Sequence, residues 1–321
     1  MGVDACGSVV PYDDAMANAR CSRNHCLDPR GGPAARSGFL RIRGFSLVEL
    51  LVVLGIIGIL VAIVVPVAMG ARRSAARMRE ASAMRSAIVA WISYATDERG
   101  FVLPGYRSGF PARDENGNAI PPETYGGDVE ISKRWPWRLA PWLDQDFRRI
   151  YCGENAATFE KLQSGDPTQF MYFTSLYPSF GLNSAWVGGD EQRFPVDEVL
   201  PNGALNPFAK WCVLRLSASK HPERTMAFVS SRTNATADGA LNEGYFRVDG
   251  PWLANATPTW AADYDPENPA SFGSVSARFG GEALFATIDG GVDFAPVEQL
   301  RDMRRWCDRA PGVEWWIGQG N

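Results

Sequence analysis

Residues 1–44 show no sustained apolar period and are rich in Arg, Gly and Pro, so they read as a leader or tail rather than a domain. The pattern then changes at once. From Leu50 to Met69, twenty consecutive residues carry no charge. At about 1.5 Å per residue they predict a helix roughly 30 Å long, the thickness of a bilayer's hydrocarbon core. Beyond that run, Met78, Ala81, Met84, Ile88, Trp91 and Ala95 recur at spacings of three and four, one face of a helix. Arg77, Arg79, Glu80 and Arg85 fall largely on other faces. The expected stop is Gly100, after Asp97, Glu98 and Arg99. Taken as one element, residues 45–99 make a helix roughly 80 Å long if straight, with Pro66 as the point of bending.

After residue 100 the patterns are shorter. Residues 211–216 alternate in part and predict a strand, and 225–230 predict a second. Residues 283–288 and 292–295 flank Asp289-Gly290-Gly291, a hairpin signal. Pro296 opens a short C-terminal helix with Leu300, Met303 and Cys307 on one face. Ten of the eleven Trp residues lie here, in what reads as a loop-rich globular head. A long N-terminal helix packed on a head with an antiparallel sheet is an α+β architecture. The expected organisation is a leader over 1–44, a membrane-spanning segment over 45–69, its amphipathic continuation over 70–100 and the head over 101–321.

Composition narrows this picture only slightly. The 321 residues suffice for one large domain or two modest ones. With 45% hydrophobic and 21% charged residues the balance is that of a globular protein. At a net charge of -4, no basic block is large enough for a nucleic-acid footprint. Cys6, Cys21 and Cys26 precede the apolar run; Cys152, Cys212 and Cys307 follow it. Three in the distal part allow at most one internal disulfide, with one thiol left over. Cys21, His25 and Cys26 cluster but lack a fourth ligand, so no metal site is assigned.

The informative residue is Glu49, a carboxylate at the edge of the apolar run. Inside a membrane such a group costs up to about 3 kcal/mol at the midplane and less near an end. It therefore either sits solvated at the interface or has a partner. Its setting decides the matter: Arg41 and Arg43, then Gly44-Phe45-Ser46-Leu47-Val48-Glu49, then the apolar helix with Pro66 inside it. This stretch, residues 41–66, resembles the class III signal of type IV prepilins and type II secretion pseudopilins. The resemblance implies cleavage between Gly44 and Phe45 by a prepilin peptidase, and N-methylation of Phe45 by the same enzyme family. It also implies leader inside and head outside, in Gram-negative cells a single-pass inner-membrane protein with a periplasmic or extracellular head. Arginines flank the run on both sides, so charge counting alone leaves orientation open. Within the resemblance, Glu49 of one subunit neutralises the terminal amine of a neighbour, which favours staggered assembly. Other pilin or pseudopilin subunits are the implied partners. A 44-residue leader is long for the family, and Met16 is an alternative start.

A second resemblance lies near the end. Some prepilin-type proteins carry a His, nine residues and Asp-Gly, in a context like Arg-His-Gly-Gly. Here Arg278-Phe279-Gly280-Gly281 precedes Asp289-Gly290 at the same spacing, with Phe279 in place of the His. A role that needs an imidazole is then absent, while the Asp-Gly turn survives. Residues Ser179-Phe180-Gly181-Leu182-Asn183 resemble another part of that group.

Other features have plainer readings beside sharper ones. Trp135-Pro136-Trp137 with Trp142 is either an aromatic binding platform or core filling. Asp263, Asp265 and Glu267 offer too few oxygens for calcium by themselves and read as a solvated turn. Asn234-Ala235-Thr236 and Asn255-Ala256-Thr257 match glycosylation acceptors. The post-leader chain has one His, His221, and no nucleophile elbow, phosphate loop or dinucleotide fingerprint. No catalytic residue and no cofactor is assigned. The reading is a filament-type structural subunit. The alternatives are a membrane-anchored binding or hydrolase domain with its activity in residues 101–321, and a secreted protein cut near Ala71.

Overall fold

The computed structural model describes residues 45–113, 118–121, 130–194, 206–234, 236 and 239–319. The first element, α1, runs Leu47–Asp97 and continues through Pro66. The chain divides within this helix into two compact units, one ending at Ile59 and one starting at Leu60. Its apolar first half is exposed along its length, from Leu47 at 78% to Met69 at 51%. Among the described residues it is the one helix long and apolar enough to cross a membrane. Its second half buries Glu80, Ala81, Met84, Ala87, Ile88, Ala90, Trp91, Tyr94 and Ala95. The alanines let the helix backbone approach the globular part closely, while Met84, Ile88 and Trp91 fill the space between. The helix stops as expected. Arg99 and Gly100 both take positive φ, and the Gly100 N–H donates to the Ala95 carbonyl at 2.7 Å.

Two residues of the predicted face change places. Met78 is 71% exposed and Glu80 is buried. The 3.6-residue period places both positions near the edge of the stripe. There an ion partner for Glu80, rather than its polarity, decides which side chain goes inside.

The globular part centres on a four-stranded antiparallel sheet of β1 (Phe180–Leu182), β2 (Met226–Ser230), β5 (Glu282–Thr287) and β6 (Val292–Pro296), in the order β1-β2-β5-β6. A two-stranded pair, β3 (Arg232–Thr233) and β4 (Asn242–Glu243), lies beside it in sequence. Gly181 pairs with Val229, Val229 with Phe285 and Phe285 with Asp293. The hairpin between β5 and β6 is the one expected at Asp289-Gly290.

This sheet separates two cores, and β5 shows why. Leu284 and Ala286 join the cluster containing Met84, Ile88 and Trp91 of α1. Ala283 and Phe285 join a second cluster with Met303, Trp306 and Cys307. Alternate residues of a strand point to opposite faces. Apolar from Ala283 to Ala286, β5 is covered on both. A bulge between Met226 and Phe228 lets Ala227 and Phe228 both reach the first cluster.

Between α1 and β1 the chain forms α2 (Glu130–Lys133), α3 (Trp135–Leu139), α4 (Glu154–Gln163) and α5 (Pro167–Leu176). These helices are absent from the strand-based expectation, although α5 announces itself. Asp166 accepts from the Thr168 N–H at 2.8 Å and Pro167 takes the first helical position.

Two expected elements differ. Residues 211–216 are not a strand. Ala209–Trp211 form a 3-10 turn, and then Val213 bridges Val187 and Arg215 bridges Phe101 singly. The partial alternation reflects these separate bridges and the Arg215 guanidinium lying 3.5 Å over the Phe101 ring. The C-terminal α-helix is instead two 3-10 turns, Val297–Arg301 and Met303–Arg305. Asp302 separates them and caps the second by accepting from the Arg304 N–H. Leu300, Met303 and Cys307 are nonetheless all buried together.

Candidate functional site

The N-terminal site is built around the start of α1. The Val48 N–H donates to Ser46 Oγ at 3.2 Å, and the Ser46 N–H donates to Glu49 Oε2 at 2.9 Å. These bonds form a variant of the capping box: Glu49 at N3 accepts from the N-cap N–H, while the N-cap hydroxyl accepts from Val48 at N2. The signal, Ser46-x-x-Glu49 ahead of an apolar run, stands in the sequence but was not part of the reading above. The capping bond holds the Glu49 carboxylate one residue from Phe45, which is 73% exposed. Gly44 lies outside the described residues.

A second cluster ties α1 to the globular part. Arg278 donates through Nε to Glu80 Oε2 at 2.9 Å and approaches Glu243 Oε2 at 3.3 Å. Arg232 Nε lies 3.2 Å from the other Glu243 oxygen. Burial alone would lower the Arg278 pKa, but Glu80 and Glu243 outweigh it and hold the guanidinium charged. Burial raises Glu243, against the pull of Arg278 and Arg232. One turn before Glu80, Arg77 pairs with Glu282 at the start of β5 and lies 3.8 Å over the Phe294 ring. Phe279 meets Phe294 edge-on at 5.1 Å. Phe279, which stands where the proteins it resembles there carry a His, is thus part of the packing against β6.

The segment 179–183 has a structural task as well. Asn183 donates to the carbonyls of Met226 at 2.9 Å and Trp306 at 2.8 Å, joining β2 to the C-terminal turns.

The remaining candidates resolve into packing and turns. Trp135 is fully buried and Trp137 nearly so, while Trp142 donates to Asp97 at 2.7 Å and meets Tyr94 edge-on. They fill the core against α1 rather than forming a platform. Asp265 accepts from the Glu267 N–H at 2.9 Å in an exposed turn. Among the described residues, no three His, Cys, Asp or Glu stand together as metal ligands would. Thr257 donates its N–H to Asn255 Oδ1 in an exposed loop. Ala235 of the other acceptor triplet lies outside the described residues. His221 is half-exposed, 3.7 Å from Glu223. An open groove of about 620 Å³ contains Asp289 and Asp302. Asp289 accepts from Thr287 Oγ1 and the Gly291 N–H, and Asp302 pairs with Arg304, so both serve local turns. Cys152, Cys212 and Cys307 are free thiols. Burial raises all three, Cys152 and Cys307 to about 12, far from the range of a reactive thiolate.

The model of the prokaryotic N-terminal methylation motif matches residues 40–65. That match spans Gly44, Phe45, Ser46 and Glu49 together with most of the charge-free run. The match supports a type IV prepilin-like protein. No curated protein and no solved structure matches it. In this prepilin-like protein the long apolar helix and the antiparallel sheet make an α+β, pilin-like fold. The helix fits a single-pass membrane anchor, and the motif implies handling by a prepilin peptidase in a membrane-associated assembly system.

Proposed function

We propose that this protein is a filament-type structural subunit, a pilin or pseudopilin, serving a type II secretion or type IV pilus-like assembly. The observation that carries the reading is the pairing of a bare apolar helix half with a single carboxylate, Glu49, inside the methylation motif. A continuous apolar surface of this size is stable in lipid or against copies of itself, not in water. Cleavage after Gly44 frees an amine on Phe45, and methylation leaves it protonatable. Glu49 of an incoming subunit then meets the amine of one already placed. Neither charge is comfortable alone in lipid, so the pair favours one stagger between helices. The leader stays on the cytoplasmic side and the globular part on the other.

Within the globular part, the arrangement supports assembly rather than catalysis. The largely covered Glu80-Arg278-Glu243 chain and the Arg77-Glu282 pair fasten α1 to the sheet, so force on the helix reaches the head through fixed contacts.

The test is the N-terminal sequence and intact mass of the protein from its native membrane. A chain starting at methylated Phe45 is expected. An intact leader would leave a plain anchor, and a start near Ala71 would mean ordinary secretion; either outcome removes the filament reading.

A further inference from the structure

Four arginines follow the charge-free run within one stretch of α1: Arg72, Arg73, Arg77 and Arg79. Arg77 is occupied by Glu282 and Phe294. Arg72, Arg73 and Arg79 are exposed and have no acidic partner among the described residues. Side chains of an α-helix lean toward its N-terminus, here back toward the apolar run. Arg79 shows that lean directly, since its Nε donates to the Ala75 carbonyl one turn earlier at 3.3 Å. It also lines, with Arg148, a cleft of about 350 Å³ between Ala76, Ala83 and Gly153. Glu80 borders the cleft but is committed to Arg278, and Arg148 donates to the neutral Gln163 Oε1 at 3.0 Å and lies 3.8 Å from Asp146. The charge left on this face is positive.

Position matters as much as charge. A bilayer's headgroup layer begins where the hydrocarbon ends and is roughly 5–7 Å deep on each side. At about 1.5 Å per residue, Arg72 and Arg73 lie inside that layer, and the backward lean of one turn brings the Arg79 head to within roughly 3 Å of its outer edge. With the leader inside, these arginines also oppose the rule that basic residues stay on the cytoplasmic side. A cluster placed against that rule has some other reason to stand there.

We infer that Arg72, Arg73 and Arg79 seat the phosphate of an anionic phospholipid headgroup at the outer surface of the membrane. This rests on reading α1 as a membrane anchor. The bound lipid fixes the depth and rotation of α1 in the bilayer.

The test uses the full chain reconstituted into phosphatidylcholine vesicles that carry trace spin-labelled phosphatidylglycerol or phosphatidylcholine. Electron spin resonance reads the fraction of each lipid held at the protein. The expected preference for phosphatidylglycerol is about fivefold or more, the worth of at least one engaged arginine. The variant Arg72→Gln/Arg73→Gln/Arg79→Gln brings it close to parity, whereas Arg85→Gln, two turns farther out, leaves it intact. Tryptophan fluorescence confirms that the variants are folded. Equal partition in the unaltered chain, or full preference in the triple variant, overturns the inference while the anchor stands. Parity combined with loss of self-association in the triple variant assigns the arginines to a second copy of the chain and equally overturns it. A chain released from vesicles by alkaline wash overturns both readings.

Discussion

Arg278 Nε donates to Glu80 Oε2 at 2.9 Å, joining residues 198 positions apart in the chain. Glu80 is buried on α1, and Arg278 sits just before β5 with its guanidinium mostly covered. Removing one member of such a pair strands the other charge, which costs about 3–5 kcal/mol. Arg278→Met, which strands Glu80, is expected to lose stability of that order, and Glu80→Met less, because Arg278 keeps Glu243. The double variant Glu80→Met/Arg278→Met should lose much less than their sum. Denaturant unfolding of the detergent-solubilised chain, followed by tryptophan fluorescence, measures all three. Single losses below about 1 kcal/mol would show that the pair is solvated and no fastening.

Glu49 carries two tasks that one substitution separates. Its carboxylate accepts the Ser46 N–H, and in the proposed assembly it also neutralises a neighbour's amine. Gln retains the capping bond and removes the charge; Ala removes both. Glu49→Gln should therefore keep the start of α1 ordered and leave cleavage after Gly44 intact while filament incorporation falls. Ser46→Ala should loosen the first turn by about 1 kcal/mol with the assembly charge unchanged. Immunoblots of leader removal and sheared filament fractions give both readouts. Normal incorporation of Glu49→Gln would mean that the capping bond, not the charge, is what the position supplies.

How much was legible beforehand follows from the range of each interaction. The anchor, its Glu49 and the β5–β6 hairpin depend on neighbours a few residues away, and their patterns stand in the sequence. The buried face of α1 was legible in Ala81, Met84, Ile88, Trp91 and Ala95, which follow one period. Glu80 was not, because its burial depends on Arg278 far along the chain. Residues 211–216 failed for the same reason: alternation makes a strand only where a neighbouring strand offers a ladder, and Val187 and Phe101 offer single bridges. At α5, aromatic and β-branched residues masked a helix whose capping signal, Asp166-Pro167, was in plain view.

Gly188 marks a point where backbone approaches backbone. Its φ is +79°, and a Cβ there would lie 2.1 Å from the Leu103 carbonyl oxygen. Its N–H donates to the Val213 carbonyl at 2.9 Å, beside the Val187 bridge. Gly188→Ala must move one of these segments, and a loss above about 2 kcal/mol is expected from strain and clash together. Gly109 has nearly the same φ, +77°, with nothing within 4 Å of a built Cβ. Gly109→Ala should cost about 1 kcal/mol, the price of the left-handed conformation alone. Equal losses at the two positions would refute the close-approach account.

Asp308 predicts how the fold responds to acid. The carboxylate is buried and accepts the N–H groups of Lys220 at 2.8 Å and His221 at 2.7 Å and the hydroxyl of Ser219 at 2.9 Å, with Thr225 Oγ1 at 3.3 Å. Burial pushes its pKa up, but these donors outweigh burial and hold it below the usual carboxylate value. A carboxylate depressed in the folded state binds its proton more readily when unfolded. Its contribution is therefore full above the unfolded pKa, about 4, and is lost as pH falls through the lower folded value. Asp308→Asn keeps the shape, places an amide among four donors and removes the titrating charge. The melting temperature of the variant should lie below that of the unaltered chain at pH 7, and the gap should narrow as pH falls below about 4. Differential scanning fluorimetry across pH 2–7 measures it. A gap constant with pH would mean that the loop 219–225 is held by packing and that the Asp308 charge is incidental.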